Sequence, residues 1–175
     1  MQLSYVMTEE RGATDRLLSA LAERLQADGL RLAGIVQSNT ECYDNELCDM
    51  DVRVLPEGET IRISQSLGPE ARGCRLNPEA LERAVGQVNA VLAQSPAPQV
   101  LLVNKFGKHE ADGRGMRPVI GDALARGVVV VTGVNRMNVS AFESFSEGIA
   151  QEATAELEAL VSWVHLAVAE AEQSA

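Results

Sequence analysis

Aromatic residues and cysteines are scarce in this sequence, and what each shortage excludes is informative. Aromatic side chains make up only 3 % of the 175 residues, so the core must be built from leucine, valine, isoleucine and alanine. The three cysteines, an odd number without a signal-peptide pattern before them, argue against a disulfide framework. We therefore expect reduced thiols at Cys42, Cys48 and Cys74.

Basic residues are also in deficit, because 15 Lys and Arg face 25 Asp and Glu and the net charge is −10. A chain this acidic is repelled by phosphate backbones, so we expect no nucleic-acid partner. The sequence contains no apolar run of membrane-spanning length and no basic amphipathic face. We accordingly expect no membrane partner and a cytoplasmic location.

The apolar residues, 46 % of the chain, are arranged in alternating strand and helix patterns. Leu3–Met7 predicts a strand, and a leucine stripe at helical spacing then predicts a helix that Thr14 or Asp15 caps and Gly29 ends. Arg31–Gln37 predicts the next strand, so the chain opens with a right-handed βαβ unit.

The rest of the chain continues this alternation. Alternating residues around Pro56-Glu57-Gly58 predict a β-hairpin that follows an acidic loop at Ser38–Asp49. Further elements are predicted as a helix from Asn77-Pro78, buried strands at Val100–Val103 and Val128–Val131, a helix at Arg117–Ala125, mixed loop and short helix at Val134–Ile149, and a C-terminal helix at about 154–170. We predict one α/β domain over residues 1–175, with a mainly parallel sheet flanked by helices and an inserted β-hairpin. In such sheets ligands bind beyond the carboxyl ends of the strands.

The first of these ends carries T-E-E-R-G-A-T-D-R-L-L at Thr8–Leu18. A strand, a glycine loop and a helix form the layout of a phosphate-binding P-loop, in which backbone N–H groups attract an anion. The motif G-x-x-x-x-G-K-[ST] is incomplete, since Thr14 replaces its lysine and Asp15 its Mg²⁺-binding hydroxyl residue. An anion loop at Gly12 and a plain strand-to-helix turn both stay open.

The stretch N-K-F-G-K-H-E-A-D-G-R-G at Asn104–Gly115 is more informative. It concentrates Lys105, Lys108 and Arg114 in an otherwise acidic chain, among glycines that allow close backbone approach. Its carboxylates at Glu110 and Asp112 would orient the cations, coordinate a metal or act as a base. The alternative is a solvated loop of mixed charge.

A second basic loop, R-G-C-R, lies at Arg72–Arg75 just before a helix. Two arginines around a glycine are suited to gripping an oxyanion. Cys74 is open to three interpretations, as a soft metal ligand, a stabilised thiolate or a small buried residue. Cys42 and Cys48 lack the C-x₂-C spacing of structural zinc sites, so we expect no dedicated metal site.

The longest motifs resemble a known family. V-N-K-F-G-K-H-E-A-D-G-R-G at 103–115, G-P-E-A-R-G-C-R-L-N at 68–77 and D-M-D at 49–51 resemble a bacterial family of unknown function, numbered two-four-seven-eight in the DUF series. The resemblance runs from about Leu3 to about Ile149.

The resemblance implies a three-layer sandwich like that of P-loop nucleoside triphosphatases, of the small type that carries a hairpin after strand two and a later D-E-x-G-K-x-E motif. Here N-K-F-G-K-H-E takes the place of that motif. Gly107, Lys108 and Glu110 fit it, whereas Asn104 and Lys105 replace the Mg²⁺-holding acids. Efficient Mg-ATP hydrolysis needs those acids and the missing lysine, so the resemblance implies an inherited fold and anion pocket more than an inherited reaction. It also implies a genetic association with molybdenum transport and cofactor genes.

The leading hypothesis is a protein that binds a small oxyanion, either molybdate, tungstate or a nucleotide phosphate, and serves molybdenum homeostasis. The alternative is a nucleotide-dependent hydrolase or phosphotransferase, with Glu110 as its base and Asp15 holding Mg²⁺. A docking surface for a molybdenum-system protein, or a homo-oligomer, also stays open. The predicted ligand-binding residues are Gly12, Thr14, Asp15, Gln37, Asn39, Arg72, Cys74, Arg75, Asn104, Lys105, Lys108 and Arg114.

Overall fold

The computed structural model describes residues 1–40, 49–65 and 75–174. Strands and helices alternate along these residues, with one 3₁₀ turn at Arg136–Asn138. The elements are β1 (Leu3–Val6), α1 (Ala13–Ala27), β2 (Leu32–Thr40), β3 (Asp49–Leu55), β4 (Thr60–Arg62), α2 (Pro78–Leu92), β5 (Val100–Phe106), α3 (Lys108–Ala111), α4 (Arg117–Ala125), β6 (Val129–Val134), α5 (Val139–Ser146), β7 (Ala150–Glu152) and α6 (Leu157–Gln173).

The strands form one seven-stranded sheet in the order β4-β3-β2-β5-β6-β1-β7. Five adjacent strands, β2, β5, β6, β1 and β7 in this order, run parallel to one another. The β3–β4 hairpin is antiparallel and extends the sheet beyond β2. The predicted α/β fold, with a mainly parallel sheet and an inserted hairpin, is therefore confirmed.

Helices cover both faces of the sheet and produce three layers. On one face α1 and α6 pack against residues such as Val36, Leu102 and Val131. On the other face α2, α4 and α5 pack against residues such as Ile35 and Val103. Because the central strands are covered on both sides, their sequences are the continuous apolar runs typical of buried parallel strands.

The entry to α1 differs from the prediction. Gly12, with a φ of 76°, precedes the helix as its N-cap, so Thr14 and Asp15 lie inside the first turn and neither caps it. Glycine reaches this left-handed conformation without the strain that a Cβ brings, so the chain turns sharply from loop to helix. The predicted end is confirmed, because Gly29 follows the C-cap and donates its N–H to the Gln26 carbonyl.

Three strands extend further than their apolar runs predict. β2 continues to Thr40 and β3 begins at Asp49, so the ends of the predicted acidic loop are strand, and its residues 41–48 lie outside the described part of the chain. β5 continues through Asn104 and Lys105 to Phe106, which pairs with Val134 after a register shift. Polar residues interrupt the apolar runs of these strands, while pairing with β3 continues along β2 and pairing with β6 resumes at the end of β5.

The C-terminal part adds a short strand. β7 pairs in parallel with β1, with Leu3 opposite Ala150. The last helix is confirmed, although it begins and ends later than the predicted 154–170, at Leu157 and Gln173. Of the helices in the described ranges, none combines the length and apolar character that crossing a bilayer requires.

Candidate functional site

The carboxyl ends of β2 and β5 open into a cavity of about 540 Å³, bounded by the β3–β4 hairpin, the start of α2, and α3. Six lining residues are apolar and are called the apolar wall below: Ile35, Met50, Ile63, Leu76, Pro78 and Leu81. The other lining residues are called the polar wall: Gln37, Gln65, Asn104, Lys105, Gly107, Lys108, His109, Glu110, Asp112, Arg114 and Asn135. This volume and this mixed lining are typical of sites for small organic ligands.

Glu110 holds the polar wall in shape. Its side chain is 4 % exposed, and its two carboxylate oxygens accept the N–H groups of Gly107 at 2.9 Å and Met116 at 3.2 Å. Gly115 has a φ of 58°, and a Cβ at that position would collide with the Glu110 carboxylate. The glycine in the motif thus admits a buried carboxylate that joins α3 to the start of α4.

A second brace connects this segment to α2. Glu82 Oε1 accepts the Gly115 N–H at 3.1 Å and lies 3.2 Å from Nε2 of the buried His109. The conformation of the motif is therefore fixed by carboxylates on both sides.

Three cations line the cavity, and they differ in how they are paired. Arg114 lies 3.7 Å from Asp112, with 62 % of its side chain exposed. Lys108 is exposed, and no described residue forms an ion pair with it. Exposed pairs contribute little to stability, so the charges of Arg114 and Lys108 are available to an incoming anion. Lys105 lies 3.8 Å from the buried Asp15, so an anion shares its charge with that carboxylate.

The first loop forms a polar cluster beside the cavity. The buried Asp15 accepts the Asn39 side-chain N–H at 2.7 Å, and Asn39 in turn accepts the Gln37 side-chain N–H at 2.9 Å. The Thr14 hydroxyl is 2.7 Å from that of Thr8. Of the predicted residues, Gly12, Thr14, Asp15 and Asn39 belong to this cluster and do not line the cavity.

Asp15 changes what this loop can bind. Its carboxylate lies in the first helical turn, where it offsets the positive end of α1. Its Oδ1 atom is buried without a hydrogen-bond donor among the described residues and faces Lys105. The position at which a P-loop carries its Mg²⁺-binding hydroxyl group thus carries a carboxylate.

Asn104 has the least satisfied side chain in the cavity wall. It is 1 % exposed, and neither its amide nitrogen nor its amide oxygen has a hydrogen-bond partner in the described part of the chain. Leaving a buried amide group unpaired costs about 1–3 kcal/mol. Such groups are rare in folded proteins and indicate either strain or a contact with a ligand or water.

The second basic loop is only partly described. Arg75 donates to the Gln65 carbonyl at 3.3 Å and lies 3.3 Å from Asp49, which also forms an ion pair with Arg62 at 2.8 Å. Arg75 therefore secures the hairpin and is not part of the cavity wall. Arg72 and Cys74 lie outside the described residues. Within the described ranges, no group of three or more His, Cys, Asp and Glu side chains is arranged to hold a metal ion.

The residues predicted from the sequence include neither the apolar wall nor the amide side chains of Asn135 and Gln65. Asn135 directly follows β6, so the rule that ligands bind at strand carboxyl ends would have identified it. Gln65 and the apolar wall depend on how the hairpin folds over the sheet, and the sequence carries no local pattern for that.

Comparison with known proteins identifies a family and a fold. A model of the family DUF2478, described as a protein of unknown function, matches residues 3–163. A molybdenum import ATP-binding protein, ModC 2 of Bradyrhizobium diazoefficiens, is 34 % identical over 164 residues, which are 93 % of this chain and 18 % of that protein. The chain thus spans less than a fifth of that relative's length.

The solution structure of a human cancer-related nucleoside triphosphatase is similar with a TM-score of 0.63 and 16 % sequence identity, over 100 % of this chain and 99 % of that one. This similarity confirms the predicted fold, a three-layer sandwich like that of P-loop nucleoside triphosphatases.

Proposed function

The chain belongs to the DUF2478 family, and we propose that it binds a small anionic ligand in the cavity at the carboxyl ends of β2 and β5 and thereby serves molybdenum homeostasis. One observation carries the proposal. Lys105, Lys108 and Arg114 line the same cavity, where they outnumber the acidic Glu110 and Asp112, in a chain whose net charge is −10. Cations gathered in one concave site raise the local concentration of anions there, although the surface as a whole is acidic.

The size and lining of the cavity bear on which anion binds. A bare tetrahedral oxyanion such as molybdate or tungstate fills only a small part of 540 Å³ and makes no use of an apolar wall. A nucleotide phosphate carries its charge on a body with a flat aromatic ring, whose faces pack against apolar side chains, so it suits both walls. Between these ligands, the geometry favours the nucleotide phosphate.

The link to molybdenum rests on the similarity to ModC 2. Because the chain spans 18 % of that protein, ATP-driven import does not transfer to it. The proposal is narrower: a ligand-binding unit that acts within a molybdenum system, with a protein of that system as its partner.

The cavity cations provide the test. We expect Lys108→Ala and Arg114→Ala each to weaken binding of nucleotide phosphate, molybdate or tungstate by roughly tenfold, as for a lost charge-assisted hydrogen bond. Both side chains are exposed, so folding should be unaffected. Isothermal titration calorimetry measures the affinities.

Arg83→Ala is the matched control. Arg83 is also 62 % exposed and lies 3.9 Å from a carboxylate, that of Glu59, but it does not line the cavity. Equal affinities in all three variants and the wild type would show that the anion site is elsewhere or absent.

One observation favours the alternative of a nucleotide-dependent hydrolase or phosphotransferase. The buried Oδ1 atom of Asp15 lacks a hydrogen-bond donor among the described residues, and a carboxylate oxygen of this kind is a ligand that Mg²⁺ accepts. Glu110, the candidate base, accepts one backbone N–H on each of its two oxygens, and each oxygen keeps a further lone-pair site for a proton. A turnover assay over common nucleotides with Mg²⁺ tests this candidate, which requires activity in the wild type and its loss in Glu110→Gln.

A further inference from the structure

The unpaired amide of Asn104 sets a chemical requirement on whatever occupies the cavity. An amide presents a donor N–H and an acceptor oxygen side by side. Both atoms are buried in the cavity wall without partners in the described part of the chain. A ligand that satisfies them must offer an acceptor next to a donor.

The surrounding side chains do not meet this requirement. Gln37, in the same wall, donates its amide N–H to Asn39. Lys105, the next residue along β5, faces Asp15. Asn104 is therefore left without a structural partner by neighbours that have partners of their own.

The apolar lining residues and the exposed cations bear on the rest of the ligand. Residues such as Ile35, Met50 and Leu81 offer an apolar surface suited to a ring. Lys108 and Arg114 offer positive charge at exposed positions. A ligand that contacts the Asn104 amide, the apolar wall and these two cations has a neutral ring at one end and an anionic group at the other.

We propose that Asn104 is a specificity-determining residue, whose amide pairs with the edge of a planar nitrogen heterocycle in a ligand that carries an anionic group. Adenine is one ring with such an edge, since its N6 amino donor lies beside the N7 acceptor, a pair that asparagine contacts in bidentate fashion. Molybdate and tungstate present only acceptors at neutral pH and would leave the Asn104 oxygen unpaired. This inference rests on the proposed function, because it names the ligand class of the same cavity.

The test compares ligands that share a phosphate and differ in the ring. We expect the wild-type chain to bind AMP or GMP roughly tenfold more tightly than ribose 5-phosphate, the gain typical of a bidentate contact. In Asn104→Leu, which keeps the number and branching of the side-chain atoms and removes both hydrogen-bonding atoms, the ratio between the affinities for the nucleotides and for ribose 5-phosphate should fall to about one. Calorimetry on the full chain gives each affinity.

The outcomes separate this inference from the proposed function. Equal binding of ribose 5-phosphate and the nucleotides, or a ring preference that survives in Asn104→Leu, overturns the role of Asn104 and leaves the anion site intact. Binding of molybdate or tungstate but of no nucleotide also overturns the role of Asn104 and leaves the anion site intact. If no anion binds at all, the proposed function fails and this inference fails with it. The wild-type comparison alone decides the ring preference if the variant does not fold.

Discussion

Asp15 is the residue at which the first loop departs most from a phosphate-binding loop. Its carboxylate is 4 % exposed, accepts an N–H from Asn39 and lies 3.8 Å from Lys105. An anion that approaches Lys105 must compete with this carboxylate and is repelled by it. Asp15 therefore weakens the attraction between Lys105 and an anionic ligand.

Replacing the Asp15 carboxylate by a neutral amide should strengthen the attraction between Lys105 and an anion. We predict that Asp15→Asn tightens anion binding by roughly threefold to tenfold, since a like charge a few ångströms away is removed in a partly screened environment. Titration calorimetry measures the change, and Asp28→Asn, at the other end of the same helix, is the control. Weaker binding in Asp15→Asn would instead indicate that the carboxylate holds a cation together with the ligand.

Gly115 and Gly113 offer a matched pair for testing the Glu110 brace. Both have positive φ, at 58° and 90°, but only at Gly115 would a Cβ collide with Glu110, while at Gly113 it meets nothing within 4 Å. We predict that Gly113→Ala costs about 1 kcal/mol of backbone strain and Gly115→Ala roughly 1–3 kcal/mol more. Urea denaturation measures both, and equal losses would mean that the brace is not tight.

At this scale the sequence predicts where basic residues gather better than which contacts they make. The motif at 104–115 concentrates three cations and several glycines in an acidic chain, and the structure places the cations at one cavity. The sequence does not predict the brace formed by Glu110, because its hydrogen bonds to Gly107 and Met116 depend on how the chain closes between α3 and α4.

Among the elements, α2 contributes both to the stability of the fold and to the lining of the cavity. Its N-cap is Asn77, whose side-chain oxygen accepts the Ala80 N–H at 3.1 Å, and its first turns supply Pro78 and Leu81 to the apolar wall. The start of this helix was predicted from Asn-Pro, since the cap satisfies a free N–H group and proline lacks one.

Removing the cap should loosen this end of the helix. We predict that Asn77→Ala lowers the free energy of unfolding by about 1 kcal/mol, as typical for a lost N-cap. Asn77→Ser, which retains a capping oxygen, should lose much less. Urea denaturation measures the free energy of unfolding of wild type, Asn77→Ala and Asn77→Ser. An Asn77→Ala variant as stable as wild type would show that the cap contributes nothing.

The elements that sequence reasoning found are those with a strong local pattern. The buried runs of β5 and β6 and the striped helices α1, α2 and α6 have one. β7 has three residues, and its pairing with β1 joins positions 3 and 150. The polar end of β2 is likewise strand because β3 pairs with it, which no local pattern encodes.

For the whole molecule, strand order explains how distant motifs form one site. In the order β2-β5-β6, the carboxyl ends of neighbouring parallel strands place Gln37, Asn104 and Asn135 around one cavity, although they are far apart in sequence. The location of the site at this edge was predictable from the alternation of strands and helices. Its volume and apolar wall were not, because they come from the tertiary placement of the hairpin and α2.

The central claim is that this cavity binds an anion through its cations, and thermal unfolding with and without ligand tests it most directly. Wild type, Arg83→Ala and the double variant Lys108→Ala with Arg114→Ala would be heated with AMP, ATP, GTP, phosphate, molybdate and tungstate, with and without Mg²⁺. A ligand at about 100 times its Kd stabilises the fold by roughly 2.7 kcal/mol, which raises Tm by about 5–10 °C at this chain length. We predict such a rise with a nucleotide phosphate in wild type and Arg83→Ala, and its loss in the double variant. No rise with any of these anions, or an equal rise in the double variant, would contradict the account.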